Sequence, residues 1–199
     1  MFIRTENPQT FIKFYPVTVA ILVLQIAIWT IYLLPLPSVQ MWSNLMTGFN
    51  LGIAKGEWWR FLTPIFIHAS FSHLLFNSFS LFLFAPALER MLGKVRFFLI
   101  YIGSGLVGNI GTYLIMPLEY MHVGSSGAIF GLFGVYVYMV LFRTDLIDRA
   151  NSQILLTILV ISLLMTLINQ QVNMIAHIFG LFGGLAFAPL LLNKKSDGF

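Results

Sequence analysis

Four polar residues in an otherwise apolar chain have the chemistry for acyl transfer: Ser126 in "MHVGSSGAIFGLFG", His177 in "NMIAHIFGLFGG", and His73 with Asn77 in "HASFSHLLFN". A hydroxyl beside an imidazole can act as nucleophile and base, the ring taking the hydroxyl proton and later returning it to a leaving amine. The oxyanion that develops on the attacked carbonyl needs donors already in place. The Ser126 backbone N–H at a helix start, the His73 ring and the Asn77 amide are groups of that kind. No acidic third member is visible to orient the base, so the expected unit is a dyad held by packing, less active than a triad.

Each residue also has a plainer role when taken alone. A serine at the start of a membrane helix commonly caps it or packs there, a histidine near an interface anchors through hydrogen bonds, and an asparagine joins neighbouring helices. Competing chemistries are poorly served. There is no cysteine, which excludes disulfides, thiolate catalysis and Cys-based metal sites. Glu57, Glu119, Asp145 and Asp148 fall in connections, and Glu89 closes a span beside Arg90, so paired intramembrane carboxylates are not expected. His68 and His73 are spaced poorly for sharing a metal on one helix, and no His-Glu-x-x-His occurs, so no metal and no cofactor are expected.

The elements that must position these groups are membrane helices. Hydrophobic residues make up 58% of the 199-residue chain and charged residues 9%, against roughly 25% charged in a soluble domain. Crossing a bilayer takes roughly 20 apolar residues, and apolar runs at 17–34, 71–88, 97–116, 126–142, 154–168 and 174–192 supply six candidates. The first run lacks a small-residue cleavage site and is read as a retained span, not a signal. The net charge of +4 lies between the runs and on no single face, which argues against nucleic acid as a partner. Alternating sides place Arg4, Lys13, Arg90, Lys94, Arg96, Arg143, Arg149, Lys194 and Lys195 together, with Lys55 and Arg60 opposite. By the positive-inside rule both termini are then cytoplasmic.

The external side receives the segment 35–67, the connection 117–124 and the polar "NQQVN" of 169–173. Span four covers about 25 Å at 1.5 Å per residue, so with Arg143 held at the cytoplasmic surface its helix should begin beneath the external one. Backbone N–H groups at such a sunken start need polar company. His73 and Asn77 share a helix face near the external end of span two, and His177 lies about one turn into span six. Three spans therefore bring polar groups to one depth, where intramembrane polar side chains usually face a cavity and serve function. Gly127, Gly131 and Gly134 on span four and Ala176, Gly180 and Gly184 on span six form small-residue stripes that permit close approach of serine and imidazole. Phe130 shares a face with Ser126 and is placed to stack on the imidazole.

Five motifs in order now carry a resemblance. The Gly124-Ser125-Ser126-Gly127 run resembles the Gly-x-Ser-Gly motif of the rhomboid intramembrane serine proteases. The "AHIFG" around His177 is similar to their Ala-His-x-x-Gly element, and "HASFSHLLFN" to their second-span pattern. Trp59 and Arg60 in "EWWRFLTPIFIH" match a Trp-Arg element before span two, and Glu89 and Arg90 in "LERMLG" a Glu-Arg turn after it. Members often carry Tyr where this chain has Phe130, a change that keeps stacking and loses a hydroxyl.

The resemblance implies an all-α polytopic membrane protein, a six-transmembrane-helix rhomboid bundle forming a single domain over 1–199. Residues 1–16 would be a cytoplasmic N-terminus with no further domain, 35–67 an external loop embedded sideways in the outer leaflet, and 193–199 a cytoplasmic tail. It implies Ser126 as nucleophile, His177 as base, His73 and Asn77 as oxyanion donors, and structural support from Gly124, Gly127, Phe130, Gly180, Gly184, Trp59, Arg60, Glu89 and Arg90. Substrates would be transmembrane segments of membrane proteins, cut near the external surface of a bacterial plasma membrane, with short, charge-free span five as the lateral access. Two other functions stay open: a non-catalytic relative that binds transmembrane clients, and a small-molecule transporter. The first usually loses the serine or histidine, and the second predicts inverted repeats and charged midplane sites, which are not seen.

Overall fold

The computed structural model describes residues 1–2, 4–169 and 172–192. The expected tail 193–199, with Lys194 and Lys195, and Gln170 and Gln171 of the polar connection lie outside the described residues. Among the described residues the chain forms α1 (Pro8–Phe14), α2 (Pro16–Tyr32), α3 (Pro37–Met46), β1 (Gly48–Phe49), α4 (Asn50–Ala54), α5 (Phe71–Leu92), α6 (Lys94–Ile115), β2 (Met121–His122), α7 (Ser126–Phe142), α8 (Arg149–Ile168) and α9 (Met174–Leu191), with two 3-10 turns between α4 and α5.

Local chemistry sets most boundaries. Prolines stand at the first turns of α1, α2 and α3, where a missing N–H costs nothing. The Asn7, Ser70, Asp148 and Asn173 side chains accept from the first-turn amides of α1, α5, α8 and α9. Gly93, at φ 78°, ends α5 and starts α6 in a turn that a side chain would strain. Pro86 inside α5 cannot donate to the carbonyl four residues back. Arg4 supplies that donor, its Nη1 lying 2.8 Å from the Phe82 oxygen while Nη2 reaches the Leu83 oxygen. Phe2 is buried edge-on against Phe84 and Tyr136, which packs this residue into the bundle.

The centre of the bundle is α7. Every residue from Gly127 to Tyr136 is buried, which explains how a helix apolar all round comes to lie inside the protein and not at its edge. Its nearest neighbours are α6 and α9. Gly180 faces Gly127 and Gly184 faces Gly131 so closely that a methyl group on Gly180 or Gly184 would overlap the partner backbone. The small-residue stripes of the sequence thus become a backbone-to-backbone contact.

By length and composition, α5, α6, α8 and α9 can each cross a membrane, and α1 with α2, bent by 106° at Tyr15, makes a fifth if the pair is one span. Helices α2 and α7 have only 17 residues each, so length and composition alone match four or five of the six expected spans among the described residues. Span five is longer than expected: α8 begins at Arg149 and has 20 residues, because Asp148 caps it ahead of the apolar run. Glu89 is also corrected. It does not close the span but lies within α5, 2% exposed, where its carboxylate accepts from the Val17 and Thr18 amides and from the Thr18 hydroxyl at 2.7–2.9 Å. Three donors make that buried charge tolerable. Arg90, its sequence neighbour, points outward to the Phe14 ring.

Candidate active site

The starts of α5, α7 and α9 and the ends of α6 and α8 meet at one end of the bundle. At the other end, Arg96 and Arg143 donate to the Leu191 and Leu192 carbonyls at the close of α9, where cations suit the helix dipole. Ser126, His177, His73 and Asn77 therefore gather opposite these arginines.

His177 is 5% exposed on the first turns of α9. Its ring stacks on Phe130 with centroids 4.1 Å apart and planes 14° from parallel. Ser126 is one helical turn before Phe130 on the same face of α7, which carries the hydroxyl to the neighbourhood of the ring. The backbone contact between α7 and α9 closes the remaining gap: a Cβ on Gly127 would lie 3.2 Å from the Ala176 oxygen. His177 Nδ1 is 2.8 Å from the Thr166 hydroxyl of α8, whereas Nε2 is buried without a hydrogen-bond partner among the described residues. The Ser126 to His177 hydrogen bond suggested by the close packing is therefore not formed here. Catalytic hydrogen bonds often close only when substrate binds.

The two adjacent serines differ sharply. Ser125 is completely buried and its Oγ lies 3.3 Å from His68 Nε2. Ser126 is half-buried, so of the two it alone has an accessible hydroxyl. Before them Gly124 adopts φ 126°, a conformation side chains avoid, and its N–H donates to the Pro64 carbonyl at 2.9 Å. A Cβ at Gly124 would stand 2.6 Å from both His73 Cε1 and Nε2, and 3.8 Å from Asn77 Nδ2. Both α5 side chains thus lie against the backbone two residues ahead of Ser126. Asn77 is buried, and its Nδ2 finds no acceptor among the described residues. A buried donor without an acceptor beside a helix start calls for an explanation, and an anion that exists only during reaction is one.

The segment between α2 and α5 braces this region. Arg60 is buried, donates from Nη1 to the Asn44 and Thr47 carbonyls at 2.7 and 2.5 Å, and pairs with Glu57. Trp59 Nε1 donates to the Leu45 carbonyl at 2.9 Å. The Trp-Arg element therefore fastens the end of α3. Strand β1 pairs antiparallel with β2, Gly48 opposite His122, so the same segment is tied to the connection that leads into Ser126.

Sequence reasoning passed over three residues here. His122 is buried with neither ring nitrogen bonded among the described residues, and burial pushes its imidazole down to about 4. Thr112 receives the Asn173 amide at 2.9 Å, tying the start of α9 to α6. Thr166 meets His177. For His122 the only signal was a histidine two residues before the glycine-serine run; a threonine in an apolar helix offers none.

A helical membrane bundle with a serine and an imidazole converging at one end, beside two nitrogen donors, defines the class of structure. A rhomboid domain family model matches residues 55–194. YdcA of Bacillus subtilis (strain 168), whose name places it with the rhomboid proteases, is 60% identical over 195 residues, covering 98% of each chain. The rhomboid protease GluP of the same organism is 38% identical over 150 residues, which is 75% of this chain and 29% of GluP. Rhomboid-like protease 1 of Toxoplasma gondii is 29% identical over 166 residues, 78% of this chain and 56% of its own. The chain belongs to the rhomboid family.

Proposed function

We propose that this rhomboid is an intramembrane serine endopeptidase that cuts transmembrane segments of membrane proteins near the external surface of the cell membrane. Ser126 is the nucleophile and His177 the base, and His73, Asn77 and the Ser126 N–H stabilise the oxyanion. The observation that carries this reading is the Phe130 to His177 stack one turn from Ser126, with His177 Nε2 unpartnered beside it. An imidazole with a free nitrogen next to an accessible hydroxyl is equipped to remove its proton. In this reading the chain spans the bilayer six times with both termini cytoplasmic, and the short helix α7 is accommodated because it begins below the external surface. Residues 35–67 then lie sideways in the outer leaflet, their exposed Trp42, Trp58 and Trp59 at the interface where indoles are favoured.

A helical substrate hides its carbonyls in backbone hydrogen bonds, so the cut segment must unwind before attack. Substrates with small or helix-breaking residues near the external surface are therefore preferred, and transplanting those residues to the cytoplasmic end of a test substrate abolishes cleavage. Undiminished cutting there would refute the placement. The nucleophile is tested by fluorophosphonate labelling of the purified protein, Ser126→Ala and Ser125→Ala. Label should be lost only in Ser126→Ala; equal labelling of all three removes Ser126 from the role.

A further inference from the structure

The hydroxyl of Thr166 takes part in two short contacts. Its Oγ1 lies 2.8 Å from the Ser162 carbonyl one turn earlier in α8 and 2.8 Å from His177 Nδ1 in α9. A threonine hydroxyl has a single proton, and a carbonyl can only accept. With that proton given to the Ser162 carbonyl, as the 2.8 Å approach of the two oxygens favours, the hydroxyl oxygen faces His177 as an acceptor. It follows that Nδ1 carries the ring proton of the neutral imidazole, and Nε2 is left with its lone pair. Nε2 is the nitrogen that is buried without a partner. The partner of one ring nitrogen sets the state of the other.

Thr112 confirms that this arrangement is a usable device in this bundle. It donates to the Gly108 carbonyl at 2.9 Å and accepts from Asn173 Nδ2 at 2.9 Å. In both cases a back-bonded threonine presents an oriented acceptor to the start of α9, and an intrahelical bond that would otherwise only satisfy the hydroxyl becomes a positional constraint. Thr112 holds the helix, and Thr166 holds the imidazole.

We propose that Thr166 is a positioning residue for the base: it selects the Nδ1–H tautomer of His177 and makes that selection depend on α8 lying against α9. The inference rests on His177 being the base of the proposed protease. Helix α8 buries only Leu155, Leu159 and Thr166 along its 20 residues. Displacing its last turn would remove the acceptor from Nδ1 and free the ring to change tautomer and tilt. The bundle would then have a base that is correctly set only while this weakly packed helix is docked, so lateral opening and proton abstraction are coupled through one hydrogen bond. The role resembles that of an acidic third member, but with a neutral acceptor that adds orientation without charge.

Three proteins, wild type, Thr166→Val and Thr166→Ser, test this by two readouts. Nitrogen NMR of histidine-labelled protein, with the His177 signals assigned by their loss in His177→Gln, should show Nδ1–H in wild type and in Thr166→Ser. Thr166→Val should show a mixture of tautomers. Cleavage of a transmembrane substrate should fall about ten- to a hundredfold in kcat for Thr166→Val, with KM little changed and with Thr166→Ser close to wild type, well short of the roughly 10⁴-fold cost of losing an acidic orienter. Nε2–H in wild type, or an unchanged tautomer and kcat in Thr166→Val, overturns the proposal. The NMR readout needs no turnover: a wild type that fails to react with the serine probe defeats the protease reading, while the tautomer still decides the role of Thr166.

Discussion

Helices α6, α7 and α9 are joined where glycines let backbones touch, whereas α8 lies against the same core with most of its side chains facing outward. Val160, Ile161, Leu164, Met165, Leu167 and Ile168 of α8 are all exposed, and Gly127, Gly131, Gly180 and Gly184 sit where a methyl group would press on a neighbouring backbone or side chain. In lipid there is no hydrophobic gain from helix association, so close packing is what holds helices together. The difference teaches where precision is needed. The proposed nucleophile Ser126 and proposed base His177 ride on the closely joined pair, where small displacements are resisted. The proposed oxyanion donors His73 and Asn77 ride on α5, and the partner of His177 Nδ1 rides on α8, which buries only three residues and where displacement is less opposed.

Removing the proposed base from the closely packed side should have the largest effect. His177→Ala is expected to lower kcat by about 10⁴-fold or more, as when a unit acting together loses one member, measured with a fluorogenic transmembrane substrate in proteoliposomes. Substituting donors on the neighbouring helix should cost less: His73→Ala and Asn77→Ala each about 10²- to 10³-fold in kcat with label still accepted at Ser126. Losses no greater than a few fold would remove both from oxyanion stabilisation.

The packing contrast itself is tested by one methyl group on each side. Gly184→Ala should destabilise the fold by about 1–3 kcal/mol, because the new methyl meets Gly131 backbone that cannot step aside. Val160→Ala on α8 should change stability by less than about 0.5 kcal/mol, since that side chain is 53% exposed. Equal losses in detergent unfolding would erase the distinction between the two regions.

A last test concerns the brace between the external segment and α7. Burial holds His122 neutral in the folded chain, down to about 4, against an ordinary value of 6.5. Below pH 6.5 the unfolded imidazole takes up a proton that the folded one refuses, so stability is full above that pH and falls as the pH drops toward about 4. His122→Phe keeps a flat ring against Tyr120 and should flatten this part of the acid melting curve. An unchanged slope would place the acid sensitivity elsewhere.

Much of this protein was legible before any coordinates. Apolar runs located α2, α5, α6, α7, α8 and α9 to within a few residues, because a membrane span must be continuous and apolar. The start of α7 at Ser126 was readable because glycine and serine mark where such a run begins. The spacing of Ser126 and Phe130 anticipated the stack on His177, since residues four apart share a helix face. Local pattern could not place Glu89, whose charge looked like the end of a span. Only the fold revealed three donors from the start of α2 waiting for its carboxylate. Nor could it find Thr166 or His122, since a hydroxyl in an apolar helix or a histidine in a short connection acquires meaning from what lies across the gap. Periodicity and composition are properties of one segment, and so the sequence alone determined where the long apolar helices lie and which of their faces carry polar groups, but not the short helices α1, α3 and α4. Which nitrogen of His177 is occupied and which is left free was decided by the docking of α8 on α9, a contact between segments that no single stretch of chain encodes.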